Sequence, residues 1–220
     1  MTDLPADPTV DEIRAALAPL VARNAAFDGW SDAAVDAAAQ QAGIAPEIAR
    51  LAFEGDAMAM IDAWFADIDA RMIAACPPER LAPLSIRGRI QTLIEARLAY
   101  ITRNREALRR AMAILAMPHH VARAARLGWR AADLIWRTAG DTATDLNHYT
   151  KRTSLTAIYT ATLLTFLNDE SDDHAATRAF LARRLAAVVE LEKMKARWRI
   201  RSEHRPSLAR FVGRLRYHAR

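Results

Sequence analysis

Apolar residues recur at intervals of three and four along almost the whole chain, and no stretch alternates as a strand does. Glycine and proline, only seven and nine of the 220 residues, fall mainly between these periodic segments. They divide the chain into about ten helices. One face of the stretch from Asp56 to Ala75 illustrates the pattern with Met60, Ile61, Trp64, Phe65, Ile68 and Met72. The sequence therefore predicts an all-α bundle.

Capping residues set the predicted helix boundaries near the start of the chain. Thr9 and Glu12 form a capping box, and Gly29 ends the first helix after about Phe27. Ser31 is expected to cap a second helix, and a short third helix follows Pro46. Further helices are expected at about 56–75, 85–103, 104–117, 119–139, 145–167, 173–200 and 206–217.

Residues 1–56 form a predicted N-terminal unit with the order of a helix-turn-helix, and they resemble the N-terminal unit of TetR-type repressors. A unit that reads DNA needs cations that neutralise phosphates. From Ser31 to Asp56 there are five acidic residues, and Arg50 is the one cation. This surface should repel a duplex, so a structural role is favoured and a TetR-like transcriptional regulator is kept as the alternative.

The last 28 residues differ in charge from the rest of the chain. Residues 193–220 contain ten Lys or Arg and one acid, a net charge of +9, whereas the whole chain carries +5. Residues 1–192 therefore carry −4, and the basic tail predicts an anionic partner. Membrane phospholipid and nucleic acid are the two candidates, and a solvated tail without a partner is a third interpretation.

The final segment favours the membrane. From Pro206 to Tyr217, apolar residues recur at helical spacing beside arginines, which is typical of a short amphipathic helix lying in a lipid interface. The residues expected to bind the membrane are Leu208, Arg210, Phe211, Val212, Arg214 and Leu215. No secretory signal or spanning segment is recognisable, so the expected location is cytoplasmic, peripheral on the inner face of the cell membrane.

Motifs of catalysis are missing from the sequence. It contains no phosphate-binding glycine loop, no H-E-x-x-H and a single cysteine, Cys76. His119 and His120 are adjacent, so on a helix they would point about 100° apart and make a poor metal pair. Capping explains the acidic residues near position 141 more simply than a cation site does. The sequence therefore predicts a protein that is not an enzyme and has no metal.

Polar and aromatic residues gather around one turn between two apolar helices, in the segment DLIWRTAGDTATDLNHYTKR from Asp133 to Arg152. Capping explains part of this cluster but not its aromatic members, which suit a docking surface. Its A-G-D-x-A-T-D-x-N-x-Y-T-x-R pattern, with the Asp-x-x-Trp before it, Met117-Pro118-His119, Gly29-Trp30 and Leu155-x-x-Ile158-Tyr159, resembles the Coq-nine family of ubiquinone-biosynthesis lipid-binding accessory proteins. The resemblance covers about residues 27–187.

The resemblance implies a TetR-like fold, an apolar cavity for isoprenoid quinone precursors or phospholipid, and a homodimer. It also implies presentation of the precursor to the demethoxyubiquinone hydroxylase, without catalysis or a cofactor other than the bound lipid. The residues that would dock this partner are Ile135, Asp145, His148 and Tyr149. His148 departs from the family, in which many members carry tryptophan at this place, and loss of an indole could alter the docking.

The predicted lipid-binding bundle comprises residues 57–192, followed by the tail at 193–220. Apolar residues on its helices could line a cavity or simply fill a core, because both use the same spacing. The resemblance favours the cavity. The residues expected to contact lipid are Leu98, Ile101, Met112, Leu115, Trp136 and Ile158.

Overall fold

A computed structural model of the protein describes residue 5 and residues 7–141 and 146–187. Within these residues the chain is helical and contains no strand. The helices are α1 (Val10–Asp28), α2 (Asp32–Ala42), α3 (Pro46–Phe53), α4 (Ala57–Ala75), α5 (Pro78–Leu81), α6 (Ile86–Ile101), α7 (Arg105–Leu115), α8 (Val121–Thr138) and α9 (Leu146–Leu167), and α10 is described over residues 175–187. The all-α prediction is confirmed.

Local capping chemistry defines the first helices as the sequence predicted. The Thr9 hydroxyl accepts from the Glu12 amide at 3.3 Å, and the Glu12 carboxylate accepts from the Thr9 amide at 2.8 Å. Gly29 ends α1 with a φ of 72°, a value that glycine adopts without steric cost. Ser31 precedes α2 as expected, but its hydroxyl donates to the Asp28 carbonyl at 3.0 Å instead of capping α2.

The N-terminal unit packs firmly on the larger bundle. Helix α1 lies against α2, α4 and α7. The Trp30 indole stacks at a tilt on Trp64, with ring centroids 5.4 Å apart, and its Nε1 donates to the Ala107 carbonyl at 3.1 Å. Buried residues from both parts form one continuous apolar cluster. The predicted domain boundaries at residues 56 and 192 stay predictions.

The turn between α9 and α10 is held by one carboxylate. Asp169 accepts from the amide and hydroxyl of Ser171 at 2.9 and 2.5 Å, and from those of Thr177 at 2.7 and 2.5 Å. Burial alone would raise the pKa of Asp169, but these hydrogen bonds bring it well below its usual value. The charged form therefore stabilises this turn and the start of α10.

Replacing Asp169 with asparagine should lower the free energy of unfolding by about 1–3 kcal/mol at pH 7, because charge-assisted hydrogen bonds are lost. Since the folded pKa is depressed, this contribution is complete above the pKa of the unfolded carboxyl, about 3.9, and is lost at lower pH. Urea unfolding of both proteins at pH 7 and pH 3 should show the difference shrinking in acid. The exposed Asp172→Asn is the matched control, and the same pH dependence in both variants would contradict the assignment.

No helix in the described part of the chain is long and apolar enough to cross a membrane. The predicted tail helix, with Leu208, Arg210, Phe211, Val212, Arg214 and Leu215, lies outside the described residues. Its interfacial role stays a prediction.

Candidate functional site

A mostly apolar cavity of about 310 Å³ lies among α4, α6, α7, α8 and α9. Helix α8 contributes both small and large residues to the lining. Its lining residues are Ala124, Leu127, Gly128, Arg130 and Ala131. The other helices contribute Phe65, Asp69, Arg97, Met112, Leu115, Tyr159, Thr160, Leu163 and Leu164, and Ala116 lines the cavity directly after α7.

Close packing of α8 on α9 sets one wall of the cavity. A Cβ atom added to Gly128 would stand 2.8 Å from Cγ2 of Thr156, closer than real contacts allow. The Thr156 hydroxyl also lies 3.3 Å from the Gly128 carbonyl, to which it donates. A side chain at this position would therefore force Thr156 or its helix to shift.

The mouth of the cavity is exposed and its inner wall is buried. Ala116 and Thr160 are exposed, and Leu164 is 49% exposed beside them. Arg97 and Tyr159 on the inner wall are only 1% and 4% exposed. An apolar molecule could thus enter between the ends of α7 and α9 and reach a polar group inside.

The buried polar group joins three helices. Arg97 of α6 donates to the Asp69 carboxylate of α4 through Nη1 and to the Tyr159 hydroxyl of α9 through Nε, the latter at 2.9 Å. Asp69 also lies 3.6 Å from Nε of Arg130. Pairing with Asp69 compensates the burial of the Arg97 charge.

A second buried arginine organises the signature segment. Arg152 is 2% exposed, and its guanidinium contacts Asp133 at 2.5 Å and Asp141 at 3.3 Å. It also donates to the His148 carbonyl at 3.2 Å. Burial would raise the pKa of Asp133, but Arg152 and the exposed Arg137 lower it below its usual value. Much of the polar signature therefore ties α8 to α9.

Trp136 belongs to the same assembly. Its Nε1 donates to the Lys151 carbonyl at 3.2 Å, and the Lys151 ammonium lies 5.1 Å from the centre of the indole ring. The ammonium also pairs with Asp141 at 2.7 Å. Trp136 thus supports the α8–α9 contact.

A cluster of aromatic side chains lies beside this assembly, with Tyr149 exposed and Trp129 and His148 partly buried. Tyr149 is 61% exposed, and its ring lies 6.0 Å from Trp129 of α8 and 5.2 Å from His148. We call these three residues the aromatic face. Exposed aromatic rings on a rigid support are typical of protein-docking surfaces.

The structure separates the six residues predicted to contact lipid. Met112 and Leu115 line the cavity. Leu98 and Ile101 are buried in the core, and Ile158 packs partly buried against it, without lining the cavity. With Trp136 on the signature side, lipid contact by these residues stays a prediction.

The four residues predicted to dock a partner are also placed differently. Tyr149 and His148 belong to the aromatic face, whereas Ile135 is completely buried in the core. Asp145 lies outside the described residues. Docking by these residues stays a prediction.

Most cavity-lining residues were missed by the sequence analysis. A weak signal was present in the small residues at positions 124, 128 and 131, which are spaced by four and three along α8. Tyr159 follows a predicted lipid contact, Ile158, but the predicted contacts were chosen by their apolar character alone, so Tyr159 was not among them. The pairing of Asp69 with Arg97, 28 residues apart, had no local signal.

The N-terminal unit presents a surface unlike that of a DNA reader. Arg50, the one cation between residues 31 and 56, makes two hydrogen bonds to Asp36, and this contact lowers the pKa of the Asp36 carboxyl. The exposed side chains of α3 include the apolar Ile48 and Leu51, which do not suit a contact with phosphates.

In the described part of the chain, no group of three or more His, Cys, Asp or Glu could hold a metal ion.

An N-terminal three-helix unit on a larger bundle with an internal cavity defines a TetR-like class of protein. The comparison with solved structures supports this class. The crystal structure of a TetR transcriptional regulator from Nitrosomonas europaea ATCC 19718 superposes with a TM-score of 0.63 and 26% identity, covering 79% of this chain and 96% of that one. The TetR-like fold prediction is confirmed.

Within this class the sequence is similar to one family of ubiquinone biosynthesis proteins. The COQ9 family profile matches residues 121–192, which include the signature segment. The human "Ubiquinone biosynthesis protein COQ9, mitochondrial" is 30% identical over 168 residues, 71% of this chain and 51% of the human protein. The Drosophila melanogaster protein of the same name is 28% identical over 189 residues, 84% of this chain and 58% of that protein. The predicted resemblance to the Coq-nine family is confirmed, and the chain spans about half the length of the curated relatives it matches.

Proposed function

We propose that this protein is a non-catalytic, lipid-binding accessory protein of ubiquinone biosynthesis. It holds an isoprenoid quinone precursor and presents it to the demethoxyubiquinone hydroxylase at the membrane surface. The observation that carries the proposal is the mostly apolar cavity of about 310 Å³ in a chain similar to COQ9 proteins. The names of the relatives support the pathway, and the cavity supports the proposal that a lipid is bound.

The cavity suits one end of a long amphiphile. Ligand pockets commonly measure about 300–1,000 Å³, so this cavity lies at the small end of that range. Each Å² of apolar surface removed from water contributes about 25 cal/mol, so a few buried isoprene units supply several kcal/mol. The remainder of a polyisoprenoid chain would leave through the exposed mouth near Leu164.

Presentation requires a surface for the receiving enzyme close to the cavity. The aromatic face lies on α8 and α9, and both helices also line the cavity. A partner docked on this face would therefore contact the same two helices that line the ligand cavity. The predicted basic tail would hold the protein on anionic lipid, on the cytoplasmic side of the membrane.

The alternative of a transcriptional regulator has less support. The protein is similar in structure to a TetR transcriptional regulator. However, residues 31–56 are mainly acidic, and their one cation, Arg50, is paired with Asp36. DNA binding relies on cations that face phosphates. A gel-shift assay in low salt tests this alternative directly, and residues 1–192, without the basic tail, should show no duplex binding.

The variant Ala124→Phe tests lipid binding, because it places a ring in the cavity. Wild-type protein purified without detergent should carry extractable isoprenoid quinone or phospholipid, and the variant should carry at least about tenfold less, since the apolar area available to a ligand is lost. Native mass spectrometry and mass spectrometry of organic extracts measure the lipid per protein chain.

The matched control is Ala125→Phe, the same substitution at the next residue of α8. Ala125 is exposed and does not line the cavity, so this variant should carry wild-type amounts of lipid. A wild-type protein without any bound lipid would overturn the proposed function. Wild-type lipid content in Ala124→Phe would show that the ligand binds elsewhere, and equal loss in both variants would show that filling the cavity is not the cause.

A further inference from the structure

Two hydrogen-bond donors on the inner wall of the cavity have no acceptor among the described residues. Arg97 donates through Nε to Tyr159 and through Nη1 to Asp69, and no hydrogen bond of the described residues uses Nη2. The Tyr159 hydroxyl accepts from Arg97, and no described residue accepts its own proton. Both side chains line the cavity and are more than nine-tenths buried. Nη2 of Arg97 is not among the fully buried side-chain atoms that lack a partner, so it remains accessible to a ligand that brings an acceptor.

The charge of this wall favours a neutral acceptor. Asp69 balances Arg97 directly. Arg130, the other cation that lines the cavity, is paired with Asp62 and lies near Asp69. A carboxylate or phosphate brought to the inner wall would be desolvated beside Asp69 without a free cation to compensate it. A carbonyl oxygen accepts the same hydrogen bonds without that cost.

We infer that the cavity binds the oxygen-bearing ring of a neutral quinone head first. One ring carbonyl accepts from Arg97 Nη2 and the Tyr159 hydroxyl, and the apolar chain leaves past Leu163 and Leu164. This orientation rests on the proposed function and specifies how its ligand is held before the ring leaves the cavity for the hydroxylase. It makes Tyr159 a specificity-determining residue, because its hydroxyl distinguishes a ring that carries oxygen from a purely apolar one.

In the opposite orientation the chain enters the cavity and the head group stays outside, where it needs a binding site. A second pocket, which shares Leu127 and Arg130 with the cavity, is lined by Arg123 and Arg126 and would suit a phosphate left outside. Arg123 and Arg130 are already paired with Asp56 and Asp62. That pairing weakens the pocket as an anion site, so the head-first orientation is favoured.

Four probes with the same ten-carbon tail separate these orientations: decyl-1,4-benzoquinone, decylbenzene, decanoic acid and decyl phosphate. Their affinities for delipidated full-length protein are measured by equilibrium dialysis with quantification by mass spectrometry. Two hydrogen bonds to a buried acceptor should make the quinone bind at least about tenfold more tightly than decylbenzene. It should also bind more tightly than the acid and the phosphate.

The variant Tyr159→Phe should weaken quinone binding about three- to tenfold and leave decylbenzene binding unchanged, because it removes one donor and keeps the ring. Tyr100→Phe is the matched control. Tyr100 donates to Asp67 and does not line the cavity, so this variant should change neither affinity. A general loss of structure would weaken both probes together, which separates it from loss of the donor.

Equal affinities of the wild-type protein for quinone and decylbenzene would overturn the head-first orientation and leave the proposed function standing. Tightest binding of decyl phosphate would overturn it in favour of a head held outside at Arg126, and tightest binding of decanoic acid would overturn the neutral head. Failure of all four probes to bind would overturn the proposed function, and the orientation with it. These outcomes follow from the wild-type protein alone.

Discussion

Replacing Arg152 with methionine should lower the free energy of unfolding by about 3–5 kcal/mol, the cost of removing one member of a buried ion cluster. The side chain is 2% exposed and contacts both Asp133 and Asp141. Methionine has a similar apolar stem but leaves these carboxylates without their buried cation. Equilibrium unfolding in urea, followed by circular dichroism at 222 nm, measures the effect.

Arg137→Met is the matched control for this prediction. Arg137 pairs with the same carboxylate, Asp133, but is 70% exposed. Exposed ion pairs contribute about 0–1 kcal/mol, so this variant should remain close to the wild type. Similar losses in the two variants would show that the burial of Arg152 does not set its importance.

The Arg152 prediction also bears on the signature segment. A run of polar residues is easily assigned to partner contact, yet Asp133, Asp141 and Arg152 stabilise the contact between α8 and α9. Tyr149 of the aromatic face is the exposed part of the same region. Loss of Arg152 should therefore loosen the helices that carry Tyr149 and Trp129, the residues of the proposed docking surface.

Replacing Trp64 with alanine should cost about 3–5 kcal/mol, the usual range for deleting a buried aromatic side chain. Trp64 is completely buried on α4, between the rings of Trp30 and Phe65. Removing it leaves a cavity where the N-terminal unit meets the bundle. Urea unfolding of the purified variant measures the loss.

Trp64→Phe separates ring packing from the indole N–H. Nε1 of Trp64 is buried without a hydrogen-bond partner among the described residues, so phenylalanine removes an unsatisfied donor and keeps an aromatic ring. We expect this variant to lose about half as much stability as Trp64→Ala, or less. A loss from phenylalanine as large as that from alanine would show that the fit of the complete indole dominates.

Local sequence chemistry predicted the helices well. The Thr9–Glu12 capping box, Gly29 after α1 and Pro46 at the start of α3 all lie where the sequence predicted them. Caps and breakers act within a few residues, so their effects can be read without the rest of the fold. The one-turn helix α5 at Pro78–Leu81 was missed, because the adjacent prolines indicated only a break.

The amino-acid sequence by itself determined the all-α class, most helix boundaries and the similarity to one family, because periodicity, caps and a long mixed signature are local properties of the chain. Only the tertiary structure decided which apolar residues surround a cavity and which fill the core. Leu98 and Leu115 have the same character in the sequence, yet only Leu115 lines the cavity. The packing of helices that are distant in the sequence decides which residues line the cavity, and it also brings Arg97 to Asp69. The local spacing of residues contains no signal for either result.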